Sequence, residues 1–192
     1  SDAAAMSNDV YRADSDSTAG QDLPEHISRM SPEEREARYP GAVWDDPRTG
    51  FRAGAYRNAN NGEVTIAFAG TDDGLDMANS VEQVLTSDAP QFQQARALAD
   101  VVSALTPNRP GALSFTGHSL GGGLGLGAAH SRPTGIKTVN HHRRAEVFNP
   151  LGLSQSIFSL SRDAWYAAIG RNIGLQSNVI ALDPVSALNT VI

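Results

Sequence analysis

A serine lies at the centre of a Gly-x-Ser-x-Gly pattern in the stretch SFTGHSLGGGLGLG. A serine hydroxyl is a poor nucleophile at neutral pH, so attack on an ester needs a base, a fixed approach and donors for the developing oxyanion. Gly117 and Gly121 lack the Cβ atoms that would clash in a sharp strand-to-helix turn. The pattern therefore predicts acyl transfer, with Ser119 as the nucleophile and the backbone N–H of Leu120 as one oxyanion donor.

Such a turn needs a strand before the serine and a helix after it, and the sequence offers both. The segment GALSFTG is typical of a short buried strand. The segment LGGGLGLGAAHS predicts a helix, although each glycine costs a helix about 1 kcal/mol relative to alanine. The flanking elements are therefore those of a nucleophile turn at the carboxyl end of a strand.

The remaining elements predict an α/β fold. A β-hairpin is expected from two runs, 51–56 and 63–69, around the turn-rich NANNG, with the second run deeper in the sheet. Apolar residues fall at helical spacing in 75–85 and again in 95–105. AEVFNPLGL and SNVIALDPV are further strand candidates on either side of a helical segment. Strands that alternate with helices indicate a mostly parallel sheet flanked by helices, with the hairpin as an antiparallel edge.

The domain organisation follows from a change in composition near residue 30. Residues 1–30 are rich in Ser, Asp and Ala, which predicts a polar, loosely ordered leader. Ser31, Pro32 and Glu34 then form the capping-box pattern of a helix start. We therefore assign 31–192 to one folded domain.

Composition excludes several classes of function. The 192 residues include no cysteine, which rules out disulfides, zinc-thiolate sites and a cysteine nucleophile. The net charge is −6 and no basic stripe is present, so nucleic-acid binding is not expected, whereas transient contact with a membrane is compatible. We find neither an apolar run of transmembrane length nor a signal peptide in the opening residues. No cofactor or metal is needed for serine acyl transfer.

The stretch TGHSLGGGLG resembles the nucleophile turn of the class 3 lipases, an α/β-hydrolase group, and most of all their bacterial branch of secreted phospholipase effectors. VTIAFAGTDD resembles the strand end that forms that family's oxyanion hole, which implies that Thr71 is an oxyanion donor. GLDMANSVEQVL is similar to a segment that places Asp76 and Asn79 near the site. VIALDPVSAL resembles the strand end that carries the triad aspartate, which implies Asp183. Ala69 and Met77 depart from the family pattern and put substrate preference in doubt.

The sequence does not identify the general base. Its histidines are His26, His118, His130, His141 and His142. Hydrolases of this fold run Ser, Asp, His along the chain, yet no histidine follows Asp183. His130 would lie roughly 16 Å along a helix from Ser119, too far for a hydrogen bond. We therefore expect the α/β-hydrolase-like domain of residues 31–192 to be partial, with its histidine downstream of Ile192 or supplied by a second polypeptide.

Three functions are compatible with these patterns. The preferred one is a secreted serine esterase that cleaves lipid esters, as a phospholipase A or a lipase. The alternative is a catalytically inactive hydrolase-fold module that binds an acyl chain or a protein. The resemblance also implies a toxin effector held in check by an immunity protein.

Overall fold

The computed structural model describes residues 1–70, 90–130, 143–148 and 176–178. Within these residues a seven-stranded sheet is flanked by helices. The strands are β1 (Ile27–Arg29), β2 (Asp45–Asp46), β3 (Phe51–Asn58), β4 (Val64–Phe68), β5 (Leu113–His118), β6 (Arg143–Phe148) and β7 (Gln176–Asn178). The helices are α1 (Asp2–Asp9), α2 (Pro32–Arg38), α3 (Pro90–Ala104) and α4 (Leu120–His130).

The sheet is largely parallel, as the alternation of strands and helices predicted. Its order is β1-β3-β4-β5-β6-β7, with β2 paired to β3. The pairs from β4 to β7 are parallel, whereas β1, β3 and β4 pair antiparallel. The predicted hairpin is therefore confirmed as β3–β4, and the more apolar strand β4 is the inner one, buried along its whole length between β3 and β5.

One face of the sheet carries the main core. Apolar side chains of α3 and α4, among them Phe92, Leu98 and Leu124, pack against Phe68 and Phe115 of the central strands. The Phe68 and Phe115 rings stack with their centroids 6.3 Å apart. The helical spacing predicted between residues 95 and 105 is confirmed in α3 for Ala95, Leu98, Ala99 and Val102, which face this core. Leu105 departs from the prediction, since it follows the end of the helix and is 50% exposed. Because strand side chains alternate, the neighbouring residues of β4 and β5 point to the opposite face.

The opposite face is covered by the N-terminal helix, which corrects the prediction of a loosely ordered leader at residues 1–30. Met6 and Val10 are buried against Tyr56 and Ala67 of the sheet. The hydroxyl groups of Ser7 and Thr116 lie 2.8 Å apart across this interface. The composition was misleading because a few apolar residues at helical spacing are enough to dock a short helix on a sheet.

Charged residues at the end of α1 and after it are paired rather than solvated. The Asp9 carboxylate accepts hydrogen bonds from Arg29 and from the Tyr56 hydroxyl, each at 2.9 Å. Asp14 accepts from Arg29 at 2.9 Å and also from Arg35. The network holds the N-terminal segment on the sheet, because buried charges are stable only when they are paired and hydrogen-bonded.

Helix α2 begins as the sequence predicted. Ser31 Oγ accepts from the Glu34 N–H at 3.2 Å, and the Glu34 carboxylate accepts from the Ser31 N–H at 2.8 Å, with Pro32 at the first helical position. This reciprocal pair is the capping box. The helix ends at Arg38, and Tyr39 turns fully into the core.

Candidate active site

Strand β5 and helix α4 meet at a single residue, Ser119. Its φ is +56°, and among the described residues no other non-glycine residue has a positive φ. An L-residue pays roughly 1–2 kcal/mol for this left-handed conformation. The turn that the Gly-x-Ser-x-Gly pattern predicted is therefore present and is strained at the serine. Strain of this kind clusters at functional sites.

The two glycines of the pattern are required by contact. A Cβ built on Gly117 would lie 2.2 Å from the carbonyl oxygen of Gly121, across the turn. A Cβ built on Gly121 would lie 2.1 Å from the carbonyl oxygen of Phe68 in the neighbouring strand. No side chain fits at such distances, so the sequence prediction that both positions must lack a Cβ is confirmed.

Backbone hydrogen bonds fix the turn to the sheet. The Ser119 N–H donates to the Phe148 carbonyl at the end of β6, at 3.0 Å, and the Ser119 carbonyl accepts from Gly123 N–H at 3.2 Å. Leu120 is the first residue of α4. The first N–H groups of a helix have no acceptor within that helix and point out of its positive end. The Leu120 amide therefore belongs to the free N–H end of α4, and its role as an oxyanion donor stays a prediction.

The end of strand β4 passes beside the same turn. A Cβ on Gly70 would lie 3.0 Å from the His118 carbonyl oxygen and 3.4 Å from the Gly121 nitrogen. The Ala69 N–H donates to the Arg52 carbonyl at 3.0 Å. The backbone that leads into the predicted oxyanion residue thus runs in contact with the serine turn.

The predicted site residues are only partly covered by the structure. Ser119 and Leu120 adjoin each other at the turn, and both residues are buried, with Ser119 6% exposed. The following candidates lie outside the described residues: Thr71, Asp76, Asn79, His141, His142 and Asp183. Their roles stay predictions.

Two of the remaining histidines, His26 and His130, lie in other parts of the fold than the serine turn. His26 Nε2 lies 2.7 Å from Asp2 Oδ2, at the start of α1. Asp2 lines a cavity of about 740 Å³ together with Ser114 and with Glu63, the residue before β4. Ser114 is near the start of β5, whereas Ser119 follows the end of that strand. His130 is the last residue of α4, eleven positions after Ser119. The structure therefore gives His26 a partner in the N-terminal helix rather than at the serine turn.

One residue near the turn was missed by the sequence reasoning. The Tyr11 hydroxyl accepts a hydrogen bond from the Gly70 N–H at 2.9 Å. Tyr11 lies in the segment that was predicted to be a leader, so it was not considered for the site. The available signal was the position of an aromatic residue with a polar tip directly after the apolar spacing of Met6 and Val10.

In residues 1–70, 90–130, 143–148 and 176–178, no three or more His, Cys, Asp or Glu side chains are grouped as metal ligands would be. None of the helices seen in those ranges is both long and apolar enough to cross a bilayer.

Comparison with known proteins identifies the family. The family model described as "Phospholipase-like: Tle-like phospholipase domain" matches residues 2–180. The extracellular phospholipase A1 of Serratia liquefaciens is 40% identical over 95 residues, which is half of this chain and 28% of that protein. The chain thus spans less than a third of the curated relative it matches. Because the family match covers nearly all of its length, including the strained turn, the chain belongs to the Tle-like phospholipase domain family.

Proposed function

We propose that this chain forms the catalytic core of a secreted serine phospholipase that hydrolyses the carboxylic ester bonds of phospholipids. The proposal depends on one observation. Ser119 has a φ of +56° between a buried strand and a helix, and Gly117 and Gly121 on either side of it lie too close to backbone atoms to carry a Cβ. Membership of the phospholipase family supports lipid esters as the substrate class. The match to an extracellular phospholipase A1 supports secretion and the sn-1 ester as the bond cleaved.

In this proposal the fold is the α/β-hydrolase arrangement of the class 3 lipases. Ser119 attacks the ester carbonyl, and the carbonyl oxygen becomes an oxyanion beside the backbone N–H groups of Leu120 and Thr71. One such donor is worth about 3 kcal/mol of transition-state stabilisation. A histidine accepts the serine proton and returns it to the departing alcohol, and Asp183 holds that histidine in the required tautomer. The acyl-serine is then hydrolysed by water.

The decisive experiment uses the full-length protein and compares Ser119→Ala with Ser114→Ala. Ser114 is on the same strand, and its hydroxyl lies 2.8 Å from that of Thr65, so its loss tests the strand without touching the turn. We expect wild type and Ser114→Ala to react with a fluorophosphonate probe and to hydrolyse phosphatidylcholine, and Ser119→Ala to do neither. A folded wild type that neither labels nor hydrolyses would favour the inactive binding module instead.

The position of the cleaved ester is tested separately. Phosphatidylcholine with different acyl chains at its two ester positions releases a different fatty acid for each site of attack. Mass spectrometry of the products should show release of the sn-1 chain. Release of the sn-2 chain would leave the serine chemistry intact and reject the A1 assignment.

The proposal extends to a protein partner of the effector type. The resemblance to secreted bacterial phospholipase effectors motivates an immunity protein that keeps the producing cell safe. Affinity purification of the full-length protein from its native host should recover a tight, stoichiometric inhibitor. Recovery of the active enzyme alone would argue against this part of the proposal.

A further inference from the structure

The residue Tyr11 reaches from the N-terminal segment to the backbone beside the serine turn. Its hydroxyl oxygen lies 2.9 Å from the nitrogen of Gly70, which directly precedes Thr71 in the chain. Resting on the function proposed above, we propose that Tyr11 is a positioning residue that fixes the peptide leading from Gly70 into the oxyanion-binding backbone. In this proposal the N-terminal segment helps to set the geometry of the active site.

Three hydrogen bonds close a ring around this contact. The Arg52 carbonyl accepts from the Ala69 N–H at 3.0 Å, and the Tyr11 carbonyl accepts from Arg52 Nη1 at 2.9 Å. The Tyr11 hydroxyl then accepts from the Gly70 N–H. Two successive N–H groups after β4 therefore have fixed acceptors: Ala69 donates to Arg52 of β3, and Gly70 donates to Tyr11. The side chain of Arg52 in turn hydrogen-bonds to Tyr11 and so connects the two acceptors.

The space beside Gly70 is filled, which leaves this backbone little freedom. A Cβ at Gly70 would lie 2.8 Å from the Tyr11 hydroxyl and 3.0 Å from the His118 carbonyl oxygen. Gly70 therefore lies close to both the tyrosine and the residue before the nucleophile. A displacement of Tyr11 would allow the strand end to move away from the serine.

The consequence for catalysis is preorganisation. The Gly70 N–H is occupied by Tyr11, so it is not the amide that meets the oxyanion, and the next amide along the chain takes that role in the proposed mechanism. Oxyanion donors are effective because they are already oriented when the charge develops. Tyr11 acts on the reaction only through this backbone, which makes it a positioning residue rather than a catalytic one.

Tyr11 is itself held by the helix that precedes it. It packs with Met6, Val10 and Leu23 against the sheet, in the cluster on the face opposite the main core. Asp9, two residues earlier, accepts from the Gly20 N–H at 2.6 Å and from Arg29 at 2.9 Å, and it keeps both partners when the Tyr56 hydroxyl is removed. The tyrosine is therefore presented by a docked element and not by a free terminus.

The test compares Tyr11→Phe with Tyr56→Phe in the full-length protein. Each substitution removes one hydroxyl from the same face of the sheet, but only the first removes the bond to Gly70. We expect Tyr11→Phe to lower kcat on phosphatidylcholine micelles by about 10-fold or more with KM changed less than twofold, because one oriented oxyanion donor is worth about 10²–10³ in kcat. Tyr56→Phe should lower the melting temperature and leave kcat of the folded enzyme unchanged.

A second readout does not depend on turnover. With 15N-glycine labelling, Tyr11→Phe should shift the Gly70 amide resonance and speed its hydrogen exchange, and Tyr56→Phe should not. If Tyr11→Phe does not fold, Arg52→Gln removes the anchor of the Tyr11 carbonyl from a partly exposed position and carries the same expectation for kcat and for the Gly70 amide.

The outcomes separate this inference from the proposed function. A Ser119-dependent hydrolase whose kcat is equal in wild type and Tyr11→Phe would overturn the role of Tyr11 alone. An equal loss of kcat in Tyr11→Phe and Tyr56→Phe would also overturn it, since that pattern indicates general loosening of the N-terminal segment. A wild type without Ser119-dependent hydrolysis would end both proposals.

Discussion

Gly121 of helix α4 lies against the carbonyl group of Phe68 in strand β4, so closely that a Cβ there would be 2.1 Å from that oxygen. Beyond the end of β4 the chain continues to Gly70, which lies against the backbone of His118. Helix, serine turn and strand end therefore form one backbone-to-backbone contact without intervening side chains. This contact brings the start of α4 next to the carboxyl end of β4.

The substitution Gly121→Ala is expected to displace α4 from β4 and abolish hydrolysis. The displaced atom on the strand is backbone, which does not move aside as a flexible side chain would, so we expect a loss of at least 2 kcal/mol in the free energy of unfolding. Gly127→Ala in the same helix is the control. Its Cβ would make ordinary contact with the Phe92 ring at 3.4 Å, and the alanine should stabilise the helix by up to about 1 kcal/mol. Urea denaturation and the hydrolysis rate check both. Equal effects of the two substitutions would contradict the contact.

The strain at Ser119 predicts an order of stability for two inactive variants. Glycine adopts a positive φ without penalty and alanine does not, so Ser119→Gly should unfold at a higher urea concentration than Ser119→Ala, by about 1 kcal/mol. Neither variant should react with a fluorophosphonate. If Ser119→Ala proves the more stable of the two, the left-handed conformation is not present in solution.

The ion pairs of Asp14 predict a pH dependence of stability. Burial alone would raise the pKa of Asp14, but hydrogen bonds from Arg35 and Arg29 outweigh it and hold that pKa below its ordinary value. Because the folded-state pKa is depressed, the stabilisation is complete above the unfolded pKa of about 4 and is lost as pH falls through the folded-state pKa. We therefore expect Asp14→Asn to cost about 1 kcal/mol at pH 7, a value reduced by the partial exposure of Asp14.

The measurement for Asp14 is the melting temperature of wild type and Asp14→Asn between pH 7 and pH 3. The difference should shrink as the pH falls below 4. Asp22→Asn is the matched control, because Asp22 pairs with Arg12 at a carboxylate that is 76% exposed and should contribute little. A difference that is constant with pH would show that Asp14 acts through packing and not through charge.

The hydroxyl pair between α1 and β5 predicts a non-additive double substitution. Ser7 Oγ donates to the Ala3 carbonyl at 2.8 Å and lies 2.8 Å from Thr116 Oγ1, in a buried site. Ser7→Ala or Thr116→Val alone leaves a buried hydroxyl with fewer partners, at a cost of about 1–3 kcal/mol. The double variant should cost less than the sum of the two. Additive losses in denaturant titrations would mean that the helix does not dock on Thr116.

The local parts of the fold were predictable because their causes are local. The capping box of Ser31 and Glu34 depends on four consecutive residues, and the hairpin β3–β4 on two runs joined by the turn-rich NANNG. The Gly-x-Ser-x-Gly turn was predictable for the same reason, since the clash between Gly117 and Gly121 arises within five residues. The contact of Gly121 with Phe68 was not, because it joins positions that are 53 residues apart in the chain.

By itself, the sequence determined the tight turn at Ser119, the strand and helix on either side of it, the hairpin β3–β4, and the family that the motifs resemble. Only the tertiary structure decided that residues 1–11 belong to the domain and that Tyr11 meets Gly70, 59 positions away. Composition suggested disorder there because it counts polar groups without their partners. Asp9, Asp14 and Arg29 are acceptable on the sheet because each finds its hydrogen-bonding partner, and such pairing exists only once the distant strands are assembled.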